Sequence, residues 1–257
     1  MKKQYKDQLI MKPAPEPNPP YEWVINPPLG DEKAVSDLAE ICIHILWENF
    51  AAHTYNDRKV RKNRMQEHLL SCSYLALLKD ARGTIVGFYL ADSIPVLPLE
   101  TYIHYSDATA LVPSIRGKGI YQRAERAAWD SYRQQGIPLG YLACRTQNPF
   151  AYTRFRRMSN HVFPFDEPYD TPVGRPLLET LTQYLQSRGM VEKIDPHTGI
   201  QYGVYGQQLG NSRKNGKHTL ARVKRLIDGG FQSEHGDAVI IAARIDNPAR
   251  IGPATIV

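Results

Sequence analysis

A chain of 257 residues is one large domain, or one domain with an extension, and is long enough to bury a sizeable core. Its 42% hydrophobic and 23% charged content excludes a disordered or fibrous chain, and no apolar run approaches the length of a membrane span. The net charge of +6 favours acidic partners: a nucleotide cofactor, an acidic carrier protein or a nucleic acid.

Residues 1–30 hold Pro13, Pro15, Pro17, Pro19, Pro20, Pro27 and Pro28 and are expected to be extended, loosely attached chain. Met1-Lys-Lys-Gln-Tyr-Lys6 leads into this segment and not into an apolar signal core. Cys42, Cys72 and Cys144 form an odd, scattered set that fits neither a disulfide framework nor a zinc spacing. A cytoplasmic protein with no metal is the expectation.

Asp31 caps a helix to about Asn49, with Val35, Leu38, Ile41, Cys42, Ile45 and Leu46 as its buried stripe. Residues 58–70 predict a second helix whose Arg58, Lys59, Arg61, Lys62 and Arg64 make a solvated face. Ser73–Lys79 and Thr84–Ala91 predict a hairpin, with Gly83 in its turn. A third strand, about Thr101 to Val112, stops at Pro113, which has no N–H for a ladder.

Arg116, Gly117, Lys118 and Gly119 then make a short basic loop. From Ile120 the period turns helical, with Ile120, Ala124, Ala127, Ala128 and Tyr132 on one face up to about Gln135. A Gly-rich turn before a helix start can cradle a phosphate, because the first helical N–H groups lack partners and the dipole is positive there. An ordinary strand–helix turn with exposed basic residues explains the loop equally well. Leu139–Thr146 predicts a fourth strand, and Asn148-Pro149 opens a short helix. His161–Phe165 suggests a short strand, Arg175–Arg188 a clear helix capped by Gly189, Gly199–Tyr205 a strand, Gly206–Lys217 a mobile loop and Asp237–Ile245 a buried strand. The order is that of a mixed α/β (α+β) sheet with a strand–helix–strand unit in its middle.

The loop and the order of elements resemble the general N-acetyltransferase superfamily, GNAT. Its signature is Arg or Gln, two residues, Gly, one residue, then Gly or Ala. Arg116 and Gly119 match, and Tyr121 replaces the small residue. A second resemblance is Asn148 with Ala151 three residues on; Phe155 stands where many members have Tyr. The resemblance covers about residues 31–165, after the Pro-rich 1–30. Residues 166–257 carry no motif of the family and are expected to complete the sheet or the acceptor site.

The resemblance implies a GNAT-like N-acyltransferase fold and the direct attack of an amine on the thioester of acetyl-CoA or another acyl-CoA, through a tetrahedral intermediate. The coenzyme-binding residues it implies are Leu111, Val112, Arg116, Gly117, Lys118, Gly119, Ile120, Tyr121 and Asn148. The Val112 N–H would hold the thioester oxygen, a contribution of about 3–4 kcal/mol by precedent. In one subgroup a Glu lies eleven residues before the signature Arg; that position is Tyr105 here. His104 and Asp107 are the nearest titratable candidates for the base. A His104 turned to the other face of the sheet would be structural instead. Tyr152 is the candidate acid, against plain packing. The acceptor is a small-molecule or peptide amine (Lys, ornithine or an N-terminus).

Three further readings remain. The donor could be a long-chain acyl-CoA or an acidic acyl carrier protein. The fold could be a degenerate one that binds without turnover. Arg154, Arg156 and Arg157 with the basic 206–225 segment could meet RNA, which ranks last because no aromatic-interleaved motif accompanies the charge.

Overall fold

The computed structural model describes residues 21–49, 58–116, 119–148, 151–189, 194–203, 228–232 and 235–246, with Val223 and Leu226. Residues 1–20 of the Pro-rich segment, Gly117, Lys118 and the Gly206–Lys217 loop lie outside the described residues, whereas Glu22–Ile25 forms a strand of the sheet, so the expectation of loosely attached chain is corrected for residues 21–30. Of the basic 206–225 segment, Val223 alone is described.

Among the described residues eight strands form one sheet. They are β1 (Glu22–Ile25), β2 (Tyr74–Lys79), β3 (Ile85–Val96), β4 (Thr101–Leu111), β5 (Leu139–Thr146), β6 (Val162–Phe163), β7 (Ile200–Gln201) and β8 (Ala238–Arg244). The order is β1-β2-β3-β4-β5-β8-β6, with β7 also on β8. The β4–β5 pair is parallel, and the pairs on either side of it are antiparallel. The mixed α/β class expected from the sequence is the class observed.

The helices are α1 (Glu32–Asn49), α2 (Arg58–Ser71), α3 (Ile120–Gln134), α4 (Tyr152–Met158) and α5 (Gly174–Ser187). Among the described residues none is long and apolar enough to cross a membrane. The Asp31 carboxylate accepts the Ala34 N–H at 2.9 Å, the N-cap that starts α1. Ala39, Cys42, Ile43, Met65 and Leu69 of α1 and α2 pack on Leu75, Leu77, Phe88, Leu90 and Ala110 of the sheet. Leu177, Leu178, Leu181 and Leu185 of α5 pack on the same face, against Ile94, Val96, Ile103 and Tyr105. The opposite face carries α3, whose Ala124, Ala128 and Tyr132 meet Tyr74, Ala76, Tyr89 and Ala91. α4 lies beside Trp129 in the adjoining core.

Three features of the sheet matter for the site. β3 continues through Pro95 to Val96, because its hairpin with β4 extends to Val96 opposite Thr101 and a turn at Leu97–Leu99 closes it. The strand at 238–244 is inserted between β5 and β6, so the C-terminal part of the chain completes the sheet. A β-bulge falls on β4: Leu90 pairs Ala108 while Ala91 pairs Ser106, leaving Asp107 as the extra residue. Side chains alternate along a strand, and the bulge shifts that alternation by one. Tyr105, Asp107, Ala108 and Ala110 therefore look toward α1, α2 and α5, and His104 and Ser106 toward α3.

Candidate active site

β4 and β5 pair from Tyr102–Leu139 to Ser106–Cys144, and the pairing ends there. β4 runs on to Leu111 and β5 to Thr146, so the strands part beyond Ser106 and Cys144. The Val112 N–H donates to Val86 O at 2.9 Å, toward β3. It is therefore turned away from the gap, and the oxyanion role expected of it is corrected. Backbone groups alternate in direction along an antiparallel ladder, which aims the groups of Thr109 and Leu111 at the side β5 vacates. Leu111 O accepts from Arg116 Nε at 3.0 Å, so the signature Arg folds back onto the end of β4.

At the mouth of the gap Gly119 is the N-cap of α3, with φ +72°. That left-handed conformation suits glycine, and Gly119 has no side chain to cap the helix. No acidic residue lies in the first turn of α3. The start of α3 thus keeps the donors and the positive dipole end that an anion needs. Ile120 is buried against Leu78, Leu111 and Ile115, which ties the helix start to the strand end. Asn148, on the β5 side of the mouth, donates its N–H to Thr146 Oγ1 at 3.0 Å. Gly117 and Lys118 lie outside the described residues.

Tyr121 points inward. Its hydroxyl lies 2.9 Å from Ser106 Oγ and donates to Glu125 Oε1 at 3.4 Å. The Arg154 guanidinium stands 4.2 Å above the Tyr121 ring and contacts the Glu125 carboxylate as an ion pair. Glu125, missed by the sequence reading because it lies on the apolar stripe of α3, is buried there with Arg154 as its counter-charge. Burial pushes the Tyr121 phenol above its ordinary pKa, and Arg154 pulls the other way.

His104 is fully buried on this α3 face, with Nε2 2.7 Å from Tyr89 Oη. The same Tyr89 hydroxyl is 2.8 Å from Ser106 Oγ. Burial, aided by the Arg154 charge, lowers the pKa of His104 to about 3. A ring so placed is neutral near pH 7 and gains a proton reluctantly. The expectation of His104 as the base is corrected because the ring is enclosed, with Nε2 against Tyr89 and its edges against Trp129 and Tyr132. Tyr152 is also enclosed: it packs on Phe165 at 4.6 Å and donates its hydroxyl to Asp166 at 3.1 Å. The proton-donor role expected of it gives way to packing.

Asp107 lies on the other face, at the bulge just past the last β4–β5 rung. Its Oδ2 is 2.6 Å from His68 Nδ1, with the His68 side chain 17% and the Asp107 side chain 3% exposed. His68 was hidden in the sequence inside a helix that looked like a solvated charge run. The signal was its spacing: it follows buried Met65 by three residues and precedes Cys72 by four, on the inner stripe. Close by, Asp92 accepts from Tyr184 Oη at 2.6 Å, Arg188 Nη2 at 3.0 Å and the Ser73 N–H at 2.8 Å. This cluster ties α5 to α2 and the sheet, since Arg188 also donates to Ser71 Oγ at 2.6 Å.

The gap between β4 and β5 is thus bordered by two different polar environments. The α3 face carries a buried chain of hydroxyls ending at Tyr121. The α2 face carries a buried carboxylate paired with a partly exposed imidazole.

No protein-family model and no curated protein sequence matches the chain. Among solved structures it is similar to the Escherichia coli GNAT family N-acetyltransferase YhbS in complex with CoA, at 13% identity and TM-score 0.39, over 55% of this chain and 71% of that one. It is similar to an IAA acetyltransferase from Bacillus cereus at 11% identity and TM-score 0.40, over 88% and 99% of the two chains. A ribosomal-protein-alanine N-acetyltransferase from Brucella melitensis gives 14% identity and TM-score 0.36, over 48% of this chain and 79% of that one.

Proposed function

We propose that the chain is an N-acyltransferase that moves an acyl group from acyl-coenzyme A to a primary amine. The observation that carries this reading is the parting of β4 and β5 after Ser106 and Cys144, with the uncapped start of α3 at its mouth. The gap offers a backbone edge to an extended amide chain such as pantetheine, which would add to β4 as a strand adds to a sheet. The N–H groups after Gly119, with Arg116, Gly117 and Lys118, would take the pyrophosphate. Asn148 would meet the coenzyme from the β5 side.

In this reading the thioester lies near the last rung, between Ser106 and Cys144. The amine nitrogen attacks the thioester carbon and the carbonyl electrons move onto oxygen. The C–S bond then breaks as the carbonyl re-forms. The amine must be neutral to attack. His68 would take its proton on Nε2, with Asp107 holding Nδ1 and steadying the charged ring. Asp107 acts here through His68, not as the lone carboxylate base. The acceptor would enter from the α2 face, as a small molecule or as the amine of a peptide.

Titration calorimetry with coenzyme A and acetyl-coenzyme A, together with thiol release against a panel of lysine, ornithine and peptide N-terminal amines, tests the reading. Saturable binding with amine-dependent release is expected. Binding without release from any amine would leave a coenzyme-binding protein in place of an enzyme, and no binding would remove both.

A further inference from the structure

The direct-attack reading leaves a thiolate to be protonated, and the α3 face holds a group placed to do it. We propose that the Tyr121 hydroxyl gives its proton to the departing sulfur, aimed by a buried chain that runs from His104 through Tyr89 and Ser106. The proposal rests on the acyl-coenzyme A reading above.

The direction of the chain follows from its inner end. His104 Nδ1 is buried with no hydrogen-bond partner among the described residues, while Nε2 lies against Tyr89 Oη. A proton on Nδ1 would be a buried donor with nothing to receive it, so the neutral ring carries its proton on Nε2. Nε2–H therefore donates to Tyr89. The single hydrogen of Tyr89 goes on to Ser106, and that of Ser106 to Tyr121. Each hydroxyl accepts from behind and donates ahead. The Tyr121 hydrogen is the one left to point out of the chain.

Its partner among the described groups is Glu125 Oε1 at 3.4 Å, a long contact for O–H···O, and that carboxylate is already held by Arg154. A sulfur arriving at the last rung of β4 and β5 would meet a hydrogen that little else holds. Ser106 and Cys144 mark that rung, and both face this phenol. Among the described residues the other charged or titratable groups around it are Glu125 on α3, Arg154 on α4, Cys144 on β5 and Tyr89, whose ring lies edge-on 5.6 Å away, with His104 reached through Tyr89. Phe155, which shares the Arg154 guanidinium with Tyr121, has no hydroxyl to offer.

The step balances without any further reactant. As the C–S bond breaks, sulfur takes its electron pair and then the Tyr121 proton, which releases the free thiol of the coenzyme. The phenolate regains a proton from Ser106 or from water. The proton that the amine loses restores the count.

The test uses acetyl-coenzyme A with hydroxylamine, a nucleophile that is neutral near pH 7 and needs no tailored acceptor pocket. Tyr121→Phe is expected to lower kcat about 100-fold, the usual size of a general-acid effect. Coenzyme A affinity should stay within about twofold of wild type, because the Tyr121 hydroxyl turns inward to Ser106 in place of the coenzyme-binding role expected of it, and a parallel loss of affinity and rate overturns the assignment. Replacing Tyr121 by 3-fluorotyrosine, a more acidic phenol of nearly the same size, should shift the basic limb of the rate–pH profile to lower pH. Tyr121→Phe turning over at the wild-type rate, or a basic limb that fluorination leaves in place, overturns the assignment of Tyr121 alone. Failure of the wild-type protein to bind coenzyme A overturns the reading beneath it as well.

Discussion

Ser106 and Cys144 form the last rung between the parallel strands β4 and β5, and beyond them the two strands separate. The antiparallel ladder with β3 turns the Thr109 and Leu111 backbone toward the side that β5 leaves. The start of α3 lies across its mouth, and polar side chains approach it from both faces.

The charge at the α3 start can be varied without changing its backbone. Asn and Asp both tolerate the left-handed conformation that Gly119 adopts at φ +72°. Gly119→Asp adds a carboxylate where a pyrophosphate is proposed, and Gly119→Asn does not. Asp is expected to weaken coenzyme A binding about tenfold more than Asn, or roughly 1.4 kcal/mol. Equal affinities in calorimetry at low salt would place the anion elsewhere.

The His68–Asp107 pair predicts a split between rate and binding. His68→Gln should reduce kcat about 100-fold with little change in coenzyme A affinity. Asp107→Asn should cost less, because the imidazole remains but is no longer steadied. The loss should shrink when hydroxylamine replaces an alkylamine, because hydroxylamine is already neutral near pH 7 and the proton it loses after attack is acidic enough for water to take. A His68→Gln enzyme equally slow with both nucleophiles would show damage to the fold and not to a base.

His104 should make the protein acid-labile in a defined window. Its folded pKa, about 3, lies below the unfolded value of about 6.5, so the unfolded chain binds the extra proton. The stabilising contribution is complete above about pH 6.5 and is lost as pH falls toward 3, with a slope of up to about 1.4 kcal/mol per pH unit. Denaturant midpoints for wild type and His104→Gln between pH 7 and 4 check this. The gap between the two proteins should narrow on the acid side. A gap constant with pH means that the ring is not held neutral.

Asp92 and Arg188, beside the His68–Asp107 pair, predict an effect on stability. Their side chains are 8% and 15% exposed, and Tyr184 and Ser73 complete the carboxylate's bonds. Arg188→Met leaves that buried charge without its cation and should cost about 3 kcal/mol. Adding Asp92→Asn should recover part of the loss, because the two changes share one interaction. Strict additivity in urea melts would show that the pair contributes no coupling.

Much of the frame was legible in the sequence, because it is written in local patterns. The α3 stripe, the Pro113 stop and Gly119 before a helix are each a few residues long, and the sheet order around β4 follows from short connections. The proton-handling groups were less legible. Tyr121 departs from the signature as a bulky residue, and only the fold shows that it turns inward to Ser106. Glu125 finds its counter-charge 29 positions away at Arg154, and His68 finds Asp107 across 39 positions. The bulge at Asp107 depends on register with β3, which no local pattern encodes. The surroundings of His104 are illegible for the same reason: its nearness to the loop in sequence says nothing about Tyr89 closing over it.

The measurement that bears most directly on the β4–β5 gap is hydrogen exchange of the full-length protein with and without coenzyme A. Binding in the gap predicts slower exchange of amides at Thr109, Leu111 and Ile120–Gln122, with the β1 amides at Trp23 and Val24 unchanged. Saturating coenzyme A that leaves Thr109, Leu111 and the α3 start unprotected would contradict the account.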